Sequence, residues 1–427
     1  MKKNKLLLYY KDNNVLSSLE ALLKSLILQN KSSQKIIRGE RELTEKDLFE
    51  MPKGLRPGEW CLLFDQVAKK NYIVYVNPYS ESYFKIKILK EDKEKKYNDK
   101  SDEETLAKEI IVEHLRAAFR KREFFSDYHS GARLVYGLND SLPGVIVDKY
   151  QKYILAQINT AGMDRFRELI KNEIQVYYPE HRVLFFDNPE YRKAEVLPIH
   201  EPEKIAEGLD VLENGIRYKI SPSVMQKIGY YYDHRENRNK LLHLLKRTNF
   251  AKKTGLDLFS YVGSWGLHML SAGVQHVDFV DQANMEEMTL NHLEMNSFSG
   301  RGKFTRSDVF KFVDVAIAEG KKYDVIVSDP PAFTKSEKNK ITALQGYEKL
   351  HLKAMKLLSD EGVLVVASCT HYVNYEELDK TVQEAALKNA QKVHLLDLGV
   401  QGFDHPFSGF SDKSFYIKYL VYFVSRG

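Results

Sequence analysis

Apolar positions along the chain change their spacing several times, and each change predicts an element. Residues 15–28 carry apolar side chains three and four apart, the pattern of a helix. Leu55, Arg56, Pro57, Gly58 and Glu59 read as a turn. Strands are predicted at 60–64, 72–76 and 83–89, with Asn77, Pro78, Tyr79 and Ser80 between the last two. Residues 91–104 are nearly all charged or polar and predict a linker or exposed loop. Over 106–125 the helical spacing returns, with Ile110, Ile111, Leu115, Ala118 and Phe119 on one side. Strand patterns at 134–136, 145–147, 153–158 and 183–186 surround a helix at 163–177.

From residue 238 the alternation becomes regular. A helix over 238–245 leads to a short strand with Leu256, Leu258 and Phe259. A helix begins at 267 and stops at Ala272 and Gly273. Strands at 277–280, 304–305, 323–327, 363–367, 393–398 and 415–424 alternate with helices at 285–295, 309–319, 350–358 and 376–390. Such alternation predicts an α/β fold with a seven-stranded, Rossmann-like sheet. No helix separates the last two strands, so they are expected to pair antiparallel. The expected organisation is a small, mostly β module over 1–90, a charged linker and helix over 91–122, an α+β middle domain over 123–245, and the regular domain over 246–427.

Composition narrows the class. A chain of 427 residues, 43% of them hydrophobic, holds two to three ordinary globular domains. There is no apolar run long enough for a membrane span, and the basic start carries no signal-peptide core. Cys61 and Cys369 lie far apart, which argues against a disulfide framework and for a reducing cytosol. A net charge of +5 permits an anionic partner such as RNA without demanding one. Lys53, Arg56, Lys69, Lys70, Lys85 and Lys87 make the first module basic. Arg116, Arg120, Lys121 and Arg122 do the same for the end of the 106–125 helix. Both sets read as phosphate-facing, or simply as solvated charge and cations near a helix C-terminus.

The chemistry gathers at strand ends, where open α/β sheets bind ligands. Asp257, Phe259, Gly263 and Gly266 follow the spacing acidic-x-F-x-x-x-G-x-x-G, the S-adenosylmethionine form of a nucleotide-binding turn rather than G-x-G-x-x-G. Glycine there would let the backbone approach a ligand closely. Asp281 ends the next strand, where a carboxylate can accept both hydroxyls of a ribose. Asp308 follows the third strand, in the position of an adenine contact. Asp329, Pro330 and Pro331 end the fourth on a turn stiffened by two prolines, and Phe333 offers a flat face to a base. Cys369 ends the fifth. A cysteine in that place suits a pyrimidine, whose C5 is too weak a nucleophile to attack a methyl sulfonium unaided. Thiolate addition at C6 makes C5 nucleophilic, whereas an exocyclic or ring-nitrogen acceptor needs no such group. The polar and aromatic run from Gln226 through Lys227, Tyr231, Asp233, His234 and Arg235 to Arg238 leads into this region.

These motifs, in this order, resemble the bacterial 23S rRNA (cytosine-C5) methyltransferases that carry a PUA domain, a middle domain and a catalytic domain. The resemblance rests on Leu142, Pro143, Gly144 and Asp148; on Lys227, Gly229, Tyr230, Tyr231, Asp233 and Arg235; on Phe259, Ser260, Tyr261 and Gly263; on Asp329, Pro330, Pro331 and Phe333; and on Gly346, Tyr347, Ser368, Cys369, His405 and Pro406. The sequence departs from the family pattern at Leu138, Ile228 and Thr370. The resemblance implies a class I fold behind a PUA-like module, S-adenosylmethionine as cofactor, 23S rRNA as partner, a cytoplasmic setting, and no metal. It implies Cys369 as nucleophile, while Asp329, from its place on the proline turn, is the candidate to contact or protonate the N3/N4 edge of the base. Asp257, Phe259, Tyr261, Gly263, Asp281, Asp308, Asp329 and Asp233 would hold the cofactor, and Pro330, Phe333 and Arg235 the substrate. A guanine-nitrogen methyltransferase and a non-catalytic RNA-binding or assembly factor are the alternatives.

Overall fold

The computed structural model describes residues 23–222, 229–249 and 253–427. These form two compact units, one of residues 23–121, 135–147 and 155–202, the other of 122–134, 148–154, 203–222, 229–249 and 253–427.

In the first unit a five-stranded sheet runs in the order Lys24–Ile27, Glu59–Asp65, Lys70–Val76, Ile86–Glu91, Glu42–Leu43. Part of this departs from the sequence pattern. Residues 15–22 lie outside the described residues, but Lys24–Ile27 is a strand rather than the end of a helix, parallel to Glu59–Asp65. Its side chains alternate, with Leu26 and Leu28 buried and Ile27 turned outward. That period of two decides the local structure. Leu43, Leu63, Val74, Val76 and Ile86 complete the core beneath the sheet. The helix Glu103–Glu123 begins with a buried carboxylate. Glu103 accepts a hydrogen bond from the Trp60 backbone N–H at 2.9 Å and pairs with Arg56 and Arg165. Besides the sheets of the two units, Ala132–Tyr136, Val145–Lys149, Tyr153–Ile158 and Arg182–Phe185 are strands of a four-stranded sheet, in that order.

The second unit is built on a seven-stranded sheet. Its elements are α1 (Arg235–Lys246), β1 (Thr254–Leu258), α2 (Ser264–Ser271), β2 (His276–Asp281), α3 (Glu286–Met295), β3 (Gly302–Arg306), α4 (Val309–Ala318), β4 (Tyr323–Ser328), α5 (Lys340–Lys356), β5 (Leu358–Ser368), α6 (Tyr375–Lys388), β6 (Gln391–Gly399) and β7 (Lys418–Arg426). The strand order is β3-β2-β1-β4-β5-β7-β6. The first five strands are parallel, and β7 runs antiparallel to both neighbours. Leu256, Leu258, Val280, Ile326, Val366 and Leu420 from the sheet pack with Val313 of α4, Leu350 and Met355 of α5, and Leu378 and Val382 of α6. Each large aliphatic side chain buried this way contributes roughly 1.5–3 kcal/mol. Helix starts are fixed locally. Asp308 caps α4 by accepting from the Lys311 N–H at 3.0 Å, and Asn374 and Glu377 form a reciprocal capping box on α6.

One pair of strands has no counterpart in the sequence reading. Leu209–Glu213 and Ile216–Ile220 form an antiparallel hairpin. Asn214 and Gly215, at φ +50° and +80°, make its turn. Asn-Gly is the dipeptide such a turn demands, so the signal was in the sequence.

Candidate active site

The parallel strands deliver four reactive groups to one edge of the sheet. β2 ends in Asp281, the loop after β3 holds Asp308, β4 runs into Asp329 and β5 into Cys369. The strand order sets them in the series Asp308, Asp281, Asp329, Cys369. From β3 to β5 this is four strand spacings, roughly 19 Å. All four line one cavity of about 360 Å³, together with Asp233, Phe259, Tyr261, Trp265 and Pro330.

The loop after β1 forms the cavity's wall by an unusual backbone path. Phe259 and Tyr261, neither of them glycine, have φ of +62° and +48°. Such conformations cost on the order of 1–3 kcal/mol each and gather at functional sites. The path aims the Tyr261 N–H at Asp281 Oδ2, at 2.9 Å, while Oδ1 accepts from the Ala283 N–H at 2.8 Å. The Asp281 carboxylate is thereby fixed, with lone pairs left over for a diol.

The polar groups in the wall fit a nucleoside cofactor with a charged tail. Ser260 Oγ and Asp233 Oδ1 are buried, and neither finds a hydrogen-bond partner among the described residues. Unmet buried acceptors facing a cavity call for ligand donors. The other Asp233 oxygen accepts from the Tyr416 hydroxyl at 2.8 Å. Burial would raise the Asp233 carboxyl, but His234, His405, the Tyr416 hydroxyl and Arg238 together outweigh it and hold the group below its ordinary range. Asp233 thus stays charged and able to receive an ammonium.

At the other end Asp329 is aimed by its neighbours. Trp265 Nε1 donates to Asp329 Oδ2 at 2.9 Å, and His234 Nε2 lies 3.7 Å from Oδ1. Cys369 Sγ stands 4.0 Å from the Pro330 carbonyl oxygen. Burial, then Asp329 and Asp233, push the Cys369 thiol up to about 12. Behind it the Tyr347 hydroxyl bonds Ser368 Oγ at 2.8 Å and Thr370 Oγ1 at 2.9 Å, bracketing the cysteine in a buried network.

Cys369, Asp329, Phe259, Tyr261, Asp281, Asp308, Asp233 and Pro330 therefore come together around one cavity. Five other residues singled out from the sequence are not in its lining. Asp257 is fully buried beneath it, with Oδ2 accepting from the Gly266 N–H at 2.8 Å, and burial pushes its carboxyl well up. Gly263 is the left-handed residue, at φ +79°, that starts α2. The space beside Gly266 is filled by the Phe279 ring and not by an approach to a ligand. Phe333 packs its ring on Tyr347, with centroids 4.5 Å apart, against the open side of Gly346. Arg235 is buried, donating to the Gly131 carbonyl at 2.6 Å, with its guanidinium over the Tyr128 and Tyr232 rings. Gln226, Lys227 and Ile228 lie outside the described residues.

The sequence reading gave His234, Trp265 and Arg238 no role, yet all three line the cavity. Arg238 is held by Glu213 of the hairpin at 2.6 and 2.9 Å, so the unread hairpin supports the site. Among the described residues no cluster of three His, Cys, Asp or Glu could hold a metal, and no helix is long and apolar enough to cross a membrane.

A parallel sheet with an antiparallel last strand, a ribose-type acid on β2 and unmet acceptors beside it define an enzyme that works on a nucleoside cofactor. The chain belongs to the S-adenosylmethionine-dependent methyltransferase family, whose model matches residues 182–398. It is 31% identical over 327 residues to ribosomal RNA large subunit methyltransferase I of Aeromonas salmonicida, covering 75% of this chain and 81% of that protein. The protein of that name from Aliivibrio fischeri is 29% identical over 323 residues, covering 74% and 80%. A Streptococcus mutans structure described as a SAM-dependent methyltransferase shares the fold, with a TM-score of 0.72 at 22% identity, over 94% of this chain and all of that one.

Proposed function

We propose that this chain methylates C5 of a cytosine in large-subunit (23S) ribosomal RNA, with Cys369 as the nucleophile. The observation that carries this reading is the thiol itself, on the wall of the cofactor-type cavity beside the Asp329 turn. The relatives' name supplies the RNA. S-adenosylmethionine, when bound, supplies an electrophilic methyl group. Asp281 would hold the ribose, Asp308 the adenine, and Asp233 with Ser260 the charged tail. Cys369, as thiolate, adds to C6 and forms an S–C bond, which moves electron density to C5. C5 would then take the methyl group that the cofactor supplies. Loss of the C5 proton to a base then expels the Cys369 thiolate and restores the ring. Asp329 contacts the N3/N4 edge while this happens, and Pro330 holds the turn beneath it. The target base must leave its stack to reach the thiol, at a cost of a few kcal/mol when paired. Residues 1–90 act as a PUA-like RNA-docking module, with the Arg120 end of the long helix beside it in sequence. The setting is cytoplasmic, where ribosomal RNA is made.

The test uses labelled cofactor with protein-free rRNA and with large subunits from a host lacking this gene. The methylated nucleoside is identified by mass spectrometry, wild type beside Cys369→Ala. We expect 5-methylcytosine from the wild type and none from the variant. A methylguanosine that survives Cys369→Ala would remove the thiol mechanism and leave the fold and cofactor. RNA binding without S-adenosylmethionine binding would mark a non-catalytic assembly factor.

A further inference from the structure

The nucleophile has a buried neighbour that the reaction scheme above does not use. Lys418 is the first residue of β7 and is 1% exposed. It sits in register with Ser368, the last residue of β5. Its Nζ donates to the Thr370 carbonyl at 2.8 Å and to the Tyr416 carbonyl at 3.2 Å, and lies 5.3 Å from the Phe415 ring centroid. Cys369 is the residue between Ser368 and Thr370, so the lysine spans the short turn that presents the thiol. Among the described residues no carboxylate lies within ion-pair distance of Lys418. Burying an ammonium on carbonyls alone is unfavourable, and an apolar side chain of the same length would fill the space without that penalty.

We propose that Lys418 is a positioning residue for Cys369: its ammonium holds the turn after β5 through the Thr370 carbonyl and sets a positive charge against the sulfur as the thiolate forms. The inference rests on Cys369 being the nucleophile. Its need is plain from the surroundings. Asp329 and Asp233 oppose a negative sulfur, while the backbone N–H groups of Cys369 and Ala332 favour it without bringing a full positive charge. His371 and Glu377 are the other titratable groups beside Lys418. Burial brings Lys418 down to about 8, while the thiolate and Glu377 act the other way. The sign follows directly. Below about 8 the lysine is charged and favours the thiolate, and above it that help is lost.

The experiment measures alkylation of Cys369 in the full-length protein by iodoacetamide, from about pH 6 to about pH 10, with the label located by peptide mass spectrometry. Wild type is compared with Lys418→Gln, Lys418→Met and Lys418→Arg, and calorimetric binding of S-adenosylmethionine certifies that each variant is folded. We expect Gln and Met to slow alkylation about tenfold at neutral pH, where the wild-type lysine is charged, and Arg to restore most of the rate. Either uncharged variant suffices if the other does not fold. An alkylation curve unchanged in a folded Gln or Met variant overturns the proposal. So does a variant that alkylates normally but accumulates a methylated RNA–protein adduct, which would assign Lys418 to removal of the C5 proton. Alkylation reads the thiol directly, so these outcomes are separate from the survival of methylation in Cys369→Ala, which would overturn the underlying reading.

Discussion

Trp265 orients the Asp329 carboxylate, the acid proposed to meet the target base. Its indole N–H holds one oxygen at 2.9 Å, and its ring lies parallel to Tyr419, 5.7 Å away at 3°. The stack fixes the donor, and the donor fixes the acid. Removing the N–H while keeping the ring separates the two. A hydrogen bond to a charged acceptor contributes roughly 1.5–3 kcal/mol, so Trp265→Phe should lower kcat by about 10- to 100-fold with little change in KM for S-adenosylmethionine. Steady-state methylation at saturating RNA measures both. A rise in KM at constant kcat would instead place Trp265 in cofactor binding. At this scale the sequence disclosed residues that end strands, because a carboxylate or thiol after an apolar run is visible in one dimension. Trp265, His234 and Lys418 carry no such mark. Trp265 looks like the first turn of an apolar helix, and Lys418 like one cation among many, until the sheet order sets them beside Asp329 and Cys369. Phe333 and Arg235 show the converse: a flat ring or a guanidinium near a motif satisfies a buried neighbour as readily as a substrate, and these two pack on Tyr347 and on Tyr128 and Tyr232.

The elements of the second unit were legible where two periodicities alternate, since a buried parallel strand and an amphipathic helix leave different spacings. Boundaries were not. α5 begins at Lys340, ten residues before its apolar stripe was read, because its first turns carry Ile341 and Leu344 among polar residues. The hairpin at 209–220 escaped because its strands alternate with charge and look like loop. The glycines of the turn after β1 were read for ligand approach, whereas Gly266 answers to packing of α2 on β2. A Cβ there would lie 2.1 Å from Phe279 Cε1. In an ordinary helix, Gly→Ala gains about 1 kcal/mol. Here overpacking reverses the sign, and Gly266→Ala should destabilise by about 1–3 kcal/mol. Adding Phe279→Leu should recover part of the loss. Thermal unfolding of both single variants and the double variant checks this, and strict additivity would show that the two side chains do not meet.

Charge is the property of the whole molecule that bears on its proposed RNA partner. The net value of +5 is the small difference of 64 basic and 59 acidic residues, and the structure takes many of the basic ones out of play. Lys70 pairs with Glu91 and Lys85 with Glu45, at 3.0 and 3.4 Å, while Lys87 meets Glu42 and Arg56 meets Glu103. These pairs turn a run that reads as a basic face into a largely neutral one. The Arg120 to Arg122 cluster divides in the same way. Arg122 is buried and donates to the Arg133 and Asp404 carbonyls, both at 2.9 Å, so it holds chain to chain. Arg120 is exposed, and Lys121, paired with Asp140 at 3.2 Å, is more than half exposed. Each phosphate that a cation neutralises releases counterions, and for single strands log K falls with log salt by about 0.7 per contact. If the Arg120 end of the helix docks RNA, Arg120→Glu with Lys121→Glu should weaken binding of the full-length chain to an rRNA fragment and reduce the salt slope by about one to two contacts. Arg122→Ala should do something different. It should lower thermal stability through the orphaned carbonyls while leaving the salt slope of the folded fraction unchanged. Fluorescence titrations at several salt concentrations decide between them. A slope untouched by the double reversal would remove this helix end from the RNA path and leave binding to the edge of the sheet where the thiol sits.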